Sequence, residues 1–376
     1  ISVRLGEKRP EEANNIFTIA CLLIFGQGIV VGGALYFLAP TLLGLMGAEG
    51  TLAAMAVQYL RVYAVCSPIV GCVFASDNFL RICGQIRTSM MLNVLMSVLC
   101  VVFEFFFLAV LRIGIRGAAL GTCLSMMVCA FLAMLPFFRG KMALKFVRPK
   151  FSRRILGQIV SCGCPTFLNN IAGRVTSIIM NMVLLQLGGA SAVSVYGILM
   201  YADGIILQLM YGMCDSLQPA VGYNWGAARR DRVVAIERCC FTAAAVISLV
   251  GAAVLFAFPR QTAELFMATA GAEVLDMAEP ALRIFSLTYI TRWFSFATQS
   301  FVSAIEKPVQ ASILSVSTAL LFPVGLIVAL WPMGLSGLWA NMPGTALLAG
   351  ITAGIILLDL RRRVWNSPHK VREPGA

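Results

Sequence analysis

Charged residues are scarce in this sequence, and long hydrophobic runs take their place. Asp, Glu, Lys and Arg make up 12% of the 376 residues, whereas a soluble globular domain carries about 25%. Hydrophobic residues account for 59%, and the mean hydropathy is +0.86. This composition excludes a soluble enzyme or binding domain and indicates a protein whose main solvent is the lipid bilayer.

Histidine is almost absent, and the cysteines form no pattern typical of a site. The one histidine, His369, lies in the polar C-terminal tail, which excludes a histidine-based metal or catalytic centre. The 12 cysteines are scattered through hydrophobic runs, and Cys162-x-Cys164 and Cys239-Cys240 match no zinc or redox spacing. We therefore predict no metal, no cofactor and no catalytic residues.

The hydrophobic runs are long enough to cross a membrane as helices. A helix needs about 20 apolar residues to span about 30 Å of hydrocarbon, because its backbone must satisfy its hydrogen bonds internally. The sequence therefore predicts an all-α membrane protein with about ten transmembrane helices. They lie near 16–40, 54–79, 88–111, 117–138, 156–187, 191–222, 236–258, 280–304, 309–331 and 335–359.

The net charge of +12 indicates how the chain is oriented in the membrane rather than a nucleic-acid partner. The basic residues lie between the hydrophobic runs and form no single face with interleaved aromatics. If residue 1 is cytoplasmic, most lysines and arginines fall on the cytoplasmic side, and the opposite loops hold Arg112, Arg116 and Arg260. The positive-inside rule then predicts a multi-pass protein of the plasma membrane with the chain start and the C-terminus in the cytoplasm.

An internal repeat appears when the chain is compared with itself at an offset of about 220 residues. Gly6 then aligns with Gly226, and Gly114-x-x-Gly117 aligns with Gly334-x-x-Gly337. Two longer stretches also align, 60–63 with 282–285 and 74–80 with 296–302. One period spans six hydrophobic runs, an even number, so the sequence predicts two parallel lobes whose helix sets superpose.

The repeat also predicts a domain organisation. The runs at 156–187 and 191–222 have no partner in the first lobe, so we expect a two-lobe, twelve-helix (6+6) transporter whose first two helices are absent from this chain, which should leave the chain inactive by itself. The predicted domains are the remainder of the N-terminal lobe with four helices, a basic cytoplasmic linker, the C-terminal lobe with six helices and a basic cytoplasmic tail, at 1–138, 139–155, 156–360 and 361–376.

Three motifs resemble the multidrug and toxic compound extrusion (MATE) family. The strongest is Q-P-A-V-G-Y-N-W-G-A at 218–227, which resembles the end of the family's eighth helix. The G-I-R-G-A-A motif at 114–119 and the G-C-P motif at 163–165 resemble the starts of its sixth and seventh helices. The resemblance implies two six-helix bundles enclosing a cavity, and export of amphipathic, often cationic compounds driven by inward movement of protons or sodium ions.

The chain departs from that family at positions that carry ions in some of its branches. Cys100 and Phe103-Glu104 replace the family's Asn-x-x-Leu-Asp pattern, and Gly173-Arg174 and Phe294 stand where one branch has acidic residues. The resemblance therefore leaves proton and sodium coupling both open.

Ionisable side chains inside the runs are the candidates for the transport pathway. Each costs at least about 2.5–3.5 kcal/mol at a helix centre, so it needs a partner or a function. Arg174 and Asp203 lie at similar depth on adjacent antiparallel runs, which predicts that they pair with each other. The further pathway candidates are Asn169, Asn170, Asn181, Tyr201, Arg292, Glu104 and Asp77.

A proline near the end of the eighth predicted helix suggests a gate. Pro219 removes a backbone donor and kinks a helix, and Asp215 and Gln218 lie within one turn of it. These three residues are gating candidates, although a static bend explains the same pattern.

Three functions remain open on the sequence alone. The preferred one is a secondary active exporter with a small-molecule substrate, the lipid bilayer as its environment and no obligate protein partner. A flippase for lipid-linked or polysaccharide cargo is the alternative, since Arg174 and Arg292 favour phosphate-bearing cargo. An integral-membrane enzyme is less favoured, because the carboxylates are dispersed along the chain.

Overall fold

The computed structural model describes residues 1–45, 50–266 and 271–362, and every regular element in these ranges is a helix. The α-helices are α1 Ser2–Gly6, α2 Pro10–Leu45, α3 Gly50–Ile82, α4 Ile86–Phe105, α5 Ile115–Phe138, α6 Arg153–Gly226, α7 Arg230–Ala257, α8 Pro259–Phe266, α9 Ala272–Ser286, α10 Thr288–Ala304, α11 Pro308–Val316, α12 Phe322–Ala329 and α13 Gly334–Leu360. Two π-helical segments, Phe106–Val110 and Ser317–Leu321, continue α4 and α11, and a 3₁₀ turn at Trp331–Met333 precedes α13. The predicted all-α class is confirmed.

The predicted number of membrane passes also agrees with the described helices. Eight of them are long and apolar enough to span a membrane by length and composition. One of the eight, α6, has 74 residues and contains two passes, because Gly189 interrupts it with φ 63° and ψ −159°. A further predicted run, 280–304, is covered by α9 and α10, which continue each other through helical Leu287. The described residues therefore supply the ten passes that the sequence predicts.

Contacts divide the chain into two compact units, residues 1–156 and 157–376. In the first unit α3 packs against α2 and α5, and α5 packs against α4. Phe17 is fully buried at the centre of an aromatic cluster, with ring centroids 4.8 Å from Phe79, 5.3 Å from Phe137 and 4.8 Å from Phe146. This cluster packs α2, α3 and α5 together at the end of the unit where the predicted linker begins.

The basic segment predicted as a linker packs against α2. The Val147 amide donates to Thr18 Oγ1 at 3.1 Å, and the Lys145 amide donates to Asn14 Oδ1 at 2.9 Å. The Lys150 amide donates to Asn15 Oδ1 at 2.8 Å. Residues 139–156 thus belong to the first unit, while the division into lobes, linker and tail stays a prediction; most of the tail lies outside the described residues.

The second unit has its core around the second half of α6. Residues on one face of this helix are buried against α9, α10 and α13, and the largest of those core partners are Phe285, Tyr289 and Trp339. In α10, packing against both α7 and α13 places its polar face inside the unit. Charged side chains on α6 and α10 can therefore meet away from lipid.

The turns aligned by the sequence repeat have the same backbone conformation. Lys8 and Ala228 have φ of 58° and 57°, and Gly84 and Glu306 have φ of 79° and 58°. Gly114 and Gly334, which open α5 and α13, have φ of 73° and 60°. Since positive φ is uncommon outside glycine, its recurrence at offsets of 220 to 222 residues supports a structural repeat. Superposition of the complete helix sets stays a prediction.

Candidate functional site

The most enclosed charged group among the pathway candidates is the carboxylate of Asp203, on the second half of α6. Asp203 is 8% exposed and lies on the same helix face as buried Leu199, Ile206 and Met210. This spacing of three or four residues is typical of a packed helix face. The helix therefore directs Asp203 into the second unit.

Two side chains of α10 donate hydrogen bonds to Asp203. The Tyr289 hydroxyl lies 2.5 Å from Asp203 Oδ1, and Arg292 Nη1 lies 2.7 Å from the same oxygen. The two donors are three residues apart and so share one face of α10. The Tyr289 backbone is held in turn, because Ser248 Oγ donates to its carbonyl oxygen at 2.7 Å.

This cluster carries no net charge while Asp203 is ionised and Arg292 is protonated. In a poorly screened interior, two charge-assisted hydrogen bonds to one oxygen hold the carboxylate and its two donors in a defined geometry. Removing one partner of such a buried pair costs about 3–5 kcal/mol, because it leaves an uncompensated charge. The pair is therefore stable when both partners are present, and the loss of either one destabilises it.

The predicted pair between Arg174 and Asp203 is wrong. Asp203 pairs with Arg292, and Arg174 is exposed. The buried positions on this part of α6 are Ala172 and Thr176, each two residues from Arg174. Two residues correspond to about 200° around an α-helix, so Arg174 points away from the packed face.

The other polar candidates on α6 do not join the Asp203 cluster. Asn170 donates to the Thr166 carbonyl oxygen at 2.9 Å, whereas Asn169 is half-buried and Asn181 is exposed. Tyr201 is 68% exposed and stacks on Phe266 with ring centroids 6.1 Å apart. Within the described chain, none of the four hydrogen-bonds to Asp203, and their role in a pathway stays a prediction.

Glu104 lies against α5 in the first unit. Thr122 Oγ1 donates to Glu104 Oε1 at 2.6 Å, and Cys100 Sγ lies 3.4 Å from the same oxygen. The two helices approach closely at Gly121, where a Cβ atom would lie 2.7 Å from the Glu104 amide nitrogen. Glu104 thus has polar partners inside the unit.

Asp77 connects α3 with α4. It accepts hydrogen bonds from Ser89 and, at 2.9 Å, from Asn93, and it forms a 2.8 Å ion pair with Arg81. In the second repeat, Gln299 stands at the position of Asp77 and Ser315 at the position of Asn93. Their side chains are also in contact, since Gln299 Nε2 lies 2.7 Å from Ser315 Oγ. Polar bonds that recur at corresponding positions favour helix bracing as the role of Asp77.

The gating candidates lie near the end of α6. Gln218 Nε2 donates to Ser300 Oγ at 3.1 Å and so connects α6 to α10. Pro219 lies inside α6, which continues to Gly226. The side chain of Asp215 lies outside the described residues, and gating by these three residues stays a prediction.

The described residues contain no group of three or more His, Cys, Asp and Glu side chains placed to hold a metal ion. At Asp203, the surrounding side chains present donors rather than oxygen ligands to the carboxylate. What this arrangement does is connect the second half of α6 to α10 through an ion pair and a hydrogen bond.

Comparison with known proteins identifies relatives over most of the chain. The sequence model of the MatE family matches residues 1–106 and 165–329. Multidrug export protein MepA of Staphylococcus aureus (strain NCTC 8325 / PS 47) is 24% identical over 372 residues, covering 97% of this chain and 80% of that protein. MepA of Staphylococcus saprophyticus is 24% identical over 341 residues, covering 90% of this chain and 74% of that protein.

Solved structures share the fold. A multidrug resistance MATE family transporter of the MOP superfamily, in an outward-facing conformation, matches with a TM-score of 0.91 at 22% identity, over 98% of this chain and 82% of that one. A MOP superfamily transporter from Pyrococcus furiosus, whose binding pocket is described as having reverse polarity, matches with a TM-score of 0.90 at 23% identity, over 96% and 82%.

Proposed function

This chain belongs to the MatE family of membrane transporters, and we propose that it exports amphipathic small molecules or drugs by alternating access, coupled to inward movement of protons or sodium ions. The observation that carries the proposal is the family match over most of the chain, together with its similarity to MepA multidrug export proteins. The proposal includes a plasma-membrane location with the chain start and C-terminus in the cytoplasm, no cofactor and no enzymatic activity.

Asp203 is the group that we assign to coupling. A proton bound to its carboxylate removes the negative charge and weakens the 2.7 Å ion pair with Arg292. Arg292, whose side chain is 24% exposed, is then an uncompensated and partly buried charge, and a movement of α10 relative to the second half of α6 would relieve it. Loss of the proton restores the pair, so the two protonation states favour two arrangements of these helices.

Protons fit this site better than sodium ions. A sodium ion needs several oxygen ligands, whereas Asp203 Oδ1 already faces a cationic guanidinium and a hydroxyl donor. A second cation beside Arg292 would be repelled in a medium that screens charge poorly. We therefore propose that Asp203 carries the proton arm of the coupling.

Transport by the reconstituted full-length transporter tests the proposal. In proteoliposomes, we expect movement of ethidium, an amphipathic cation, against its gradient when a pH gradient is imposed. A sodium gradient at equal pH on both sides should drive less movement. Ethidium movement that is the same with and without either gradient would contradict coupled export. A response to the sodium gradient alone would contradict the assignment of coupling to Asp203.

A second candidate cargo is an anionic, phosphate-bearing molecule, as in the flippase alternative. The observation that favours it is Arg174, which is exposed near the middle of its pass and has no carboxylate within ion-pair distance among the described residues. An exposed guanidinium at that depth would attract an anionic cargo and repel a cationic one.

Arg174→Gln separates the two cargoes. If cations are exported, we expect the rate of ethidium export to stay the same or to rise, because a repelling charge is removed. If the cargo is anionic, transport of carboxyfluorescein should exceed that of ethidium in the unaltered protein and should fall at least about five-fold in the variant, the equivalent of about 1 kcal/mol. Gln186→Ala, at another exposed position on the first half of α6, is the matched control.

A further inference from the structure

A cavity of about 360 Å³ lies between α7, α10 and α13 in the second unit, away from the Asp203 cluster. Its apolar wall includes Phe241 and Phe294, and Leu357 contributes from α13. Its polar residues include Glu237, Arg238 and Arg361. The cavity thus combines an apolar interior with a charged rim.

The charges at this rim are arranged so that a positive group remains free. Glu237 is 3% exposed and accepts a hydrogen bond from Arg361 Nη2 at 3.2 Å, so it neutralises that guanidinium. The Arg361 side chain is nevertheless 62% exposed. Arg238 is exposed and has no carboxylate within ion-pair distance in the described ranges. The rim therefore carries one net positive charge on two accessible guanidinium groups.

The cavity lies at the depth of lipid headgroups. α13 has 27 residues and is about 40 Å long, so it exceeds the roughly 30 Å hydrocarbon core and its end reaches the interface. Arg361 follows the last residue of α13, and its contact with Glu237 places the cavity at the same level. With the orientation proposed above, this is the cytoplasmic leaflet, whose anionic lipids attract arginine.

We propose that this cavity binds one anionic phospholipid, with the phosphate held by Arg238 and Arg361 and part of an acyl chain against the aromatic wall. Arginine suits this role because its planar fork donates two hydrogen bonds to one phosphate. Glu237 orients Arg361 and touches no lipid. The bound lipid tethers α7 to the end of α13 and leaves the coupling group untouched.

The test measures lipid binding to the whole chain purified in detergent. Native mass spectrometry would compare the fraction of protein carrying added phosphatidylglycerol with the fraction carrying phosphatidylcholine at equal lipid concentration. We expect phosphatidylglycerol to bind more tightly, and Arg238→Gln to weaken its binding about five-fold, the effect of one interfacial arginine. Arg362→Gln is the matched control, because Arg362 is exposed at the same helix end and does not line the cavity.

Two further arms keep the result interpretable. Arg361→Gln leaves Glu237 buried without its partner, so the Glu237→Gln, Arg361→Gln double variant is used instead, and it should also bind about five-fold less. Glycerol 3-phosphate should fail to displace the lipid, since it lacks the acyl chain. Equal binding of both lipids, equal loss in Arg238→Gln and Arg362→Gln, or displacement by glycerol 3-phosphate would each overturn the proposal. Because the readout is binding, it is independent of whether the chain transports ethidium.

Discussion

Asp203→Asn is expected to abolish pH-driven export by the reconstituted protein. The amide cannot carry the proton, and it leaves Arg292 as an uncompensated, partly buried charge that costs about 3 kcal/mol, the lower end of the range for buried pairs. Arg292→Gln should be tolerated better in stability, because Tyr289 still donates to the carboxylate at 2.5 Å. The measurements are ethidium export under a pH gradient and the thermal unfolding midpoint of the purified protein.

The double variant Asp203→Asn, Arg292→Gln should recover stability but not coupling. With both charges removed, the unpaired charge disappears, whereas the proton carrier is still missing. A double-mutant cycle on the unfolding free energy should give a coupling of about 1–3 kcal/mol between the two residues. A parallel cycle for Asp203 and Arg174 is the control and should be additive, because Arg174 faces away from the packed side of α6. Additive effects in the Asp203 and Arg292 cycle would contradict the pair.

The sequence predicts the depth of a charged residue better than its direction. Arg174, Asp203 and Arg292 all lie near the middle of hydrophobic runs, and depth alone allows either arginine to pair with Asp203. Direction depends on which side of each helix is packed. Buried Leu199, Ile206 and Met210 share the helix face of Asp203. Apolar residues at helical spacing around each charged residue are the signal that could have identified the packed faces, and so have favoured Arg292 over Arg174 as the partner.

The number of passes was predictable because the cost of unsatisfied backbone in lipid leaves so few alternatives. The recurring turns were predictable for a related reason, since glycines such as Gly114 and Gly334 mark positive φ in both repeats. The hydrogen bonds to Asp77 were not predictable. Asn93 and Ser89 are common residues, and they reach Asp77 only because α3 packs against α4. A side chain whose role depends on a partner from another helix cannot be identified from its own position in the sequence.

A close helix contact in the first unit was also missed by the sequence interpretation. Gly28-x-x-x-Gly32 on α2 is a small-residue motif of the type that lets transmembrane helices approach. A Cβ atom at Gly28 would lie 2.5 Å from Pro68 Cα, and one at Gly32 would meet Ser67 Oγ and the Ala64 carbonyl oxygen. Ser67 Oγ lies 2.8 Å from the Gly28 carbonyl oxygen and 2.8 Å from the Ala64 carbonyl oxygen. Pro68 has no N–H, so it leaves the Ala64 carbonyl oxygen without its helical partner, and the Ser67 hydroxyl can donate to that oxygen.

Gly28→Val is therefore expected to destabilise the first unit by about 3 kcal/mol, the upper end of the usual cost of overpacking, because the atoms it meets are backbone and cannot rotate away. The matched control is Gly33→Val on the same helix, where a Cβ atom meets nothing within 4 Å. Both variants have the same helix propensity and hydrophobicity, so any difference reports the contact between α2 and α3. The measurement is the thermal unfolding midpoint and the monodisperse fraction on size-exclusion chromatography. Equal midpoints for the two variants would show that α2 does not pack on α3 through this motif.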